Sequence, residues 1–163
     1  MSVDRPLFKS VLRRWASGVT IVTTRAGEQV AGMTVSSFSA VSLEPPLVLI
    51  CADKKALTLP VIAEAGVFAV NVLAAEQFEL SAQFALSGNE ELRFEGLACR
   101  EGPTGAPWLP DTLAVLDCRI VASHDAGDHV ICVGRVEAAE IDETREPLLY
   151  YNAAYRRLAA PDS

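Results

Sequence analysis

GMTVSSFSAVSLEPPLVLICAD, residues 32–53, is the stretch on which the fold turns. Two β-prone runs, Gly32 to Phe38 and Leu47 to Cys51, flank a hydroxyl-rich corner and the rigid pair Pro45-Pro46. Serines and a threonine stand inside what otherwise reads as core strand. Buried hydroxyls and backbone groups need hydrogen-bond partners, and a bound polar heterocycle is one source of them.

Upstream, Val19 to Arg25 is β-branched almost throughout and reads as a buried strand. The turn Gly27-Glu28 folds Gln29 to Phe38 back against it as a hairpin. Before that, Phe8, Val11, Leu12 and Trp15 fall on one face of a helix over Leu7–Ala16, with Asp4 as its cap, Pro6 in its first turn and Gly18 as its stop. Downstream, the pattern predicts helices over 57–65, stopped by Gly66, and over 76–86. A strand over 67–73 lies between them. Asn89 to Trp108 dissolves into Gly, Pro and charge and reads as an irregular surface excursion. Leu113 to Ser123 and His129 to Ile141 form a long hairpin about Asp125–Asp128, and an aromatic, basic tail follows. Strands joined by hairpins, with short helices between, favour an antiparallel barrel over a doubly wound sheet.

With 163 residues, half of them hydrophobic, the chain is long enough for a single cored domain, 1–163. A net charge of −7 argues against nucleic-acid binding driven by phosphate neutralisation. Apolar runs fall far short of the roughly 20 residues that span a bilayer, and no secretory pattern opens the chain. A cytoplasmic protein without membrane or nucleic-acid partners is expected. The four cysteines form no C-x-x-C pair and there are only two histidines, so no metal site is expected. Reduced, buried thiols are expected instead, with Cys118 and Cys132 placed to face each other across the hairpin. No G-x-G-x-x-G follows a strand, so the usual dinucleotide fingerprint is absent.

Four collinear segments, FKSVLRRWASGVTIVTT, GMTVSSFSAVSLEPPLVLIC, GVFAVNVLAAEQFELSAQFA and GDHVICVGRVE, resemble the flavin reductase domain family. These are the reductase components of two-component flavin-dependent monooxygenases. The similarity runs from about Phe8 to Leu158. It implies a mainly β fold, the FMN-binding Greek-key antiparallel split β-barrel with short flanking helices, working as a homodimer. The activity implied is an NAD(P)H:flavin oxidoreductase that uses NADH or NADPH to reduce FMN or FAD. The reduced flavin would pass to a separate monooxygenase.

The resemblance also assigns residues. Thr34, Val35, Ser36 and Ser37 match the segment lining the isoalloxazine and ribityl chain; on local sequence alone they read equally as a strand end whose hydroxyls cap a turn. Cys51, Ala52 and Asp53 would meet the ring by backbone. Lys54, Lys55 and Thr58 lie where the family binds the flavin phosphate, close to a helix start whose free N–H groups attract anions in their own right. Ala56 stands where a Ser is common. Phe84 matches a segment that reaches the flavin, although its spacing from Leu80 suits core packing equally. Asn71 reads as a partner for neighbouring backbone.

Gly127-Asp128-His129 matches the triplet whose histidine sits near the nicotinamide. His129 is therefore expected to position the dinucleotide rather than to act as acid or base, while His124 matches nothing and reads as a surface residue. Tyr155 corresponds to a C-terminal tyrosine beside the cofactor cleft, and Ala153 stands where a glycine is usual. Hydride transfer from nicotinamide C4 to flavin N5 needs orientation and electrostatics but no protein nucleophile. Two alternatives stand beside the enzyme. One is a flavin-binding electron-transfer or storage module without nicotinamide turnover. The other is a pyridoxamine-phosphate-oxidase-like member of the wider split-barrel group, for which residues 47–60 lack the arginine-rich phosphate pattern.

Overall fold

Asp4 accepts the Leu7 N–H at 2.7 Å and caps helix α1 (Arg5–Leu12). The structure, a computed structural model, describes residues 3–159; residues 1–2 and 160–163 of the expected domain lie outside them. Helix α1 ends four residues short of the expected Ala16. The N–H groups of Arg14 and Trp15 bond the carbonyls three residues back, which tightens the last turn out of α-geometry. Strand β1 (Ser17–Gly18) follows. Strands β2 (Thr20–Ala26) and β3 (Gln29–Val35) then form the expected hairpin, with Gly27 in the left-handed region at φ +58°.

The run expected to continue to Phe38 breaks at Ser36-Ser37. Strand β4 (Phe38–Leu43) begins there and pairs with β5 (Pro46–Asp53), so the predicted hydroxyl-rich corner is itself a strand. Helix α2 (Thr58–Ala65) closes on Gly66 at φ +66°. After it come β6 (Val67–Val72), α3 (Phe78–Ala85), the short strands β7 (Arg100–Glu101) and β8 (Pro107–Trp108), and the long hairpin β9 (Ala114–Ala126) and β10 (His129–Ile141). Strands β11 (Leu149–Tyr151) and β12 (Ala154–Arg156) complete the chain.

Seven strands form one antiparallel sheet in the order β3-β2-β6-β9-β10-β5-β4. Its two edges, β3 and β4, are consecutive in the chain and joined only by Ser36-Ser37. Three residue steps reach about 11 Å at most, so the sheet must curl until its edges meet. That seam is the split of the barrel. Val22, Val35, Ile50, Phe68 and Val70 fill its interior.

Strand β2 is buried on both faces because the 89–108 segment covers its outer side, which corrects the expected surface excursion. Trp108 packs on Ala69 and Val115, Phe94 meets Phe84 edge-on at 5.1 Å, and the Thr23 hydroxyl donates to the Pro107 carbonyl. Asn71 donates to the Ile21 carbonyl and accepts the Leu109 N–H at 2.8 Å. All four cysteines are free thiols. Cys118 stands opposite Val136 and Cys132 opposite Ser123, so they do not face each other as the sequence suggested. Among the described residues no helix is long and apolar enough to cross a membrane.

Candidate functional site

The seam opens into a cleft of about 410 Å³, within the usual range for small-ligand sites. One wall is the end of β3 and the crossing, from Thr34 and Val35 to Ser36 and Ser37. Cys51 and Asp53 of β5 form the opposite wall, and His129 at the start of β10, the register partner of Asp53, lines the cleft beside them. Lys55 and Thr58 line it at the start of α2, and Phe84 from α3. Each of these residues was expected at the site from sequence.

Three of their hydroxyls have partners within the protein. Thr34 donates to the Ser81 carbonyl at 2.6 Å, Ser37 to the Cys51 carbonyl at 3.0 Å and Thr58 to the Gly32 carbonyl at 3.2 Å. A hydroxyl has one proton to donate, so these side chains offer a ligand oxygen lone pairs. The Cys51 N–H bonds the Ser37 carbonyl at 3.1 Å, which extends the β4–β5 ladder to the crossing.

Three expected residues do not line the cleft with their side chains, although Ala52 was expected to meet the ring by backbone alone. The Ala52 side chain is in the barrel interior. Lys54 pairs its ammonium with Asp125 and donates its N–H to the Asp128 carbonyl at 3.0 Å. Tyr155 donates to the Ser81 hydroxyl at 2.9 Å and lines a separate groove with Arg156 and Arg157. It is linked to the cleft wall through Ser81, whose carbonyl holds Thr34.

The turn after β5 ties its own N–H groups back to the protein and leaves the Lys55 side chain exposed. Asp53 accepts the Lys55 N–H through Oδ1 at 2.8 Å and the Ala56 N–H through its carbonyl at 2.9 Å. Leu57, at the N-cap of α2, makes no side-chain capping bond. The helix entrance therefore presents a positive dipole end beside the exposed Lys55.

Sequence reasoning missed Arg93. Its side chain is only 7% exposed, yet it lines the cleft. Nη1 donates to the Gly32 carbonyl at 2.7 Å and Nη2 to the Leu86 carbonyl at 2.5 Å, while Nε is buried without a partner among the described residues. Burial pulls the guanidinium pKa down, and the neighbouring Glu90 carboxylate opposes that. Glu90, also in the lining, is held below the usual carboxylate range first by the Gly88 N–H and then by its own. No local signal marks either residue, because a charged pair in a Gly-rich loop reads as solvated surface.

Across the ladder from Asp53, the His129 Nδ1 lies 2.7 Å from Asp128 Oδ1. The contact holds the Asp128 carboxylate below its ordinary range, with Arg5 of α1 adding to the effect.

The model of the "Flavin reductase like domain" matches residues 12–159. The reductase component of 4-hydroxyphenylacetate 3-monooxygenase from Thermus thermophilus is 44% identical, over 94% of this chain and 97% of that protein. The FMN reductase (NADH) SmoA of Agrobacterium fabrum is 42% identical, over 93% of this chain and 85% of that protein. Among solved structures, the NADH:FAD oxidoreductase SgcE6 of Streptomyces globisporus, in complex with NAD and FAD fragments, superposes with a TM-score of 0.89. It is 36% identical, and the match covers 96% of this chain and 93% of that one. With nearly its whole length matched by the family model and by these relatives, the chain belongs to the flavin reductase-like domain family.

Proposed function

We propose that the protein is an NADH-dependent flavin reductase that delivers reduced FMN or FAD to a separate monooxygenase. The observation that carries this is one cleft at the barrel seam lined both by Lys55 at the entrance to α2 and by His129, the register partner of Asp53. Bound there, a flavin supplies a ring that takes up hydride from reduced nicotinamide. Relatives named as NADH-using reductases and as monooxygenase components support the co-substrate and the partner.

The chain's own residues have divided tasks. Lys55 and the α2 entrance hold the flavin phosphate, and the unpartnered Arg93 Nε adds positive charge beneath the cleft. Thr34 to Ser37 and Cys51 to Asp53 border the ring. His129 orients the nicotinamide. Phe84 keeps water from the floor.

The same reading includes a homodimer. Phe8, Val11 and Leu12 of α1 and Trp15 just after it are exposed, Trp15 by 78%, although their spacing is that of a buried helix face. Leu12, Trp15, Phe38 and Leu49 line an apolar groove that shares Ser36, Ser37 and Cys51 with the cleft. A second copy seated there would complete the cleft wall. A cytoplasmic location accords with the expected reduced thiols.

NADH consumption followed with FMN or FAD added separately tests the activity, and turnover only when flavin is present is expected. His129→Ala should raise the KM for NADH while leaving the flavin Kd unchanged. Equal loss of both would remove His129 from this role, and sedimentation as a monomer at micromolar concentration would remove the dimer.

A further inference from the structure

The turn between β9 and β10 has two residues, Gly127 and Asp128, with Ala126 opposite His129. Gly127 takes the left-handed φ of +65° that the first position of a type II′ hairpin turn requires. The turn is pinned to β5, since the Asp128 carbonyl accepts the Lys54 N–H at 3.0 Å and the Lys54 ammonium pairs with Asp125. Asp128 is thereby fixed in backbone, and its carboxylate Oδ1 meets His129 Nδ1 at 2.7 Å.

An ionised carboxylate only accepts hydrogen bonds. The proton of the neutral ring therefore sits on Nδ1, and Nε2 carries the lone pair. His129 lines the cleft, so with Nδ1 taken by the turn, Nε2 is the nitrogen left for a ligand. Charged neighbours on every side are accounted for. They are Asp53, register partner of His129, and Lys55 beyond it; the Lys54–Asp125 pair; and Arg5 of α1 beside Asp128.

We propose that Asp128 is a positioning residue that holds His129 in the Nδ1–H tautomer, so that Nε2 accepts a hydrogen bond from the carboxamide N–H of the reduced nicotinamide. This rests on His129 being the nicotinamide residue. It adds a specificity consequence: with the ring neutral, the site favours a dinucleotide with a carboxamide over one whose 3-substituent only accepts. Reduced 3-acetylpyridine adenine dinucleotide is such a probe.

Two measurements test it. The first is the ratio of kcat/KM for NADH to that for the acetylpyridine analogue at alkaline pH, in wild type and Asp128→Ala. Differences in intrinsic hydride-donor strength cancel between the proteins. Loss of one tautomer-specific hydrogen bond should lower the ratio by about 3- to 10-fold in the variant, with the flavin Kd unchanged. The second is nitrogen NMR of the imidazole without any cofactor. With only two histidines in the chain, His124→Asn leaves His129 as the sole signal. The wild-type ring should show a protonated Nδ1 and a bare Nε2, and Asp128→Ala should lose that preference. A wild-type ring protonated on Nε2, or an unchanged ratio in the variant, overturns the proposal. If instead His129→Ala leaves the KM for NADH untouched, the underlying role of His129 falls, and this inference with it.

Discussion

Arg93 donates from Nη1 to the Gly32 carbonyl at 2.7 Å, the same oxygen that the Thr58 hydroxyl reaches at 3.2 Å. One carbonyl on β3 thus joins the start of α2 to the loop after α3, directly beneath the cleft. Gly32 permits this because a Cβ there would stand 2.8 Å from Phe84 Cε1 and 3.1 Å from Phe94 Cζ. Replacing Arg93 leaves the Leu86 carbonyl without its guanidinium partner. Arg93→Leu should therefore cost about 2–4 kcal/mol in denaturant unfolding and weaken flavin binding. Arg93→Lys should not restore either, since one ammonium cannot reproduce the planar fork that bridges two carbonyls.

Asn152 and Ala153 form the turn between β11 and β12, at φ +50° and +60°. A Cβ in the left-handed region costs about 1–2 kcal/mol, offset in part by the greater entropy that glycine loses on folding. Ala153→Gly should stabilise the protein by about 0.5–1 kcal/mol in thermal or denaturant melts. The family's usual glycine at this position has a backbone explanation that involves no ligand.

Burial pushes the Cys118 thiol from an ordinary 9.0 up to about 12. The folded chain holds that proton where the unfolded chain releases it. The contribution is complete below about pH 9 and is lost as pH rises through 12, at up to about 1.4 kcal/mol per unit. Unfolding free energy should fall over that window, and Cys118→Ala should flatten the fall. Cys132 and Cys99, also raised by burial, add a residual slope of the same sign.

Cys51 lies half-buried in the cleft wall, whereas Cys118 and Cys132 are buried. Alkylation of the native protein should label Cys51 before either of them, and saturating FMN or FAD should slow labelling of Cys51 alone. Unchanged labelling with flavin would separate the ligand from this wall.

The barrel was legible in the sequence where local chemistry governs it. The β-branched run of β2, the Gly27 and Gly127 turns, the Asp4 cap and the Gly66 stop all act within a few residues. The crossing at Ser36-Ser37 was not legible, because a strand that continues and one that jumps to the far edge share the same alternation. Burial of Arg93 against Gly32 of β3, and of Trp108 against Ala69 of β6, was hidden for a similar reason: each partner lies far away in the chain. The serines and threonine of 32–53 raised the prospect of a ligand by their need for partners. Protein carbonyls meet that need for Thr34 and Ser37, so those hydroxyls were a weaker sign than the resemblance of the surrounding motifs.

Anaerobic mixing of the flavin-loaded protein with NADH carrying deuterium at one C4 position tests the central claim most directly. Flavin visible absorbance should disappear in a single turnover, slowed by deuterium at one of the two C4 positions and not at the other. Absorbance that persists with both FMN and FAD, while the flavin remains bound, would contradict reduction in this cleft.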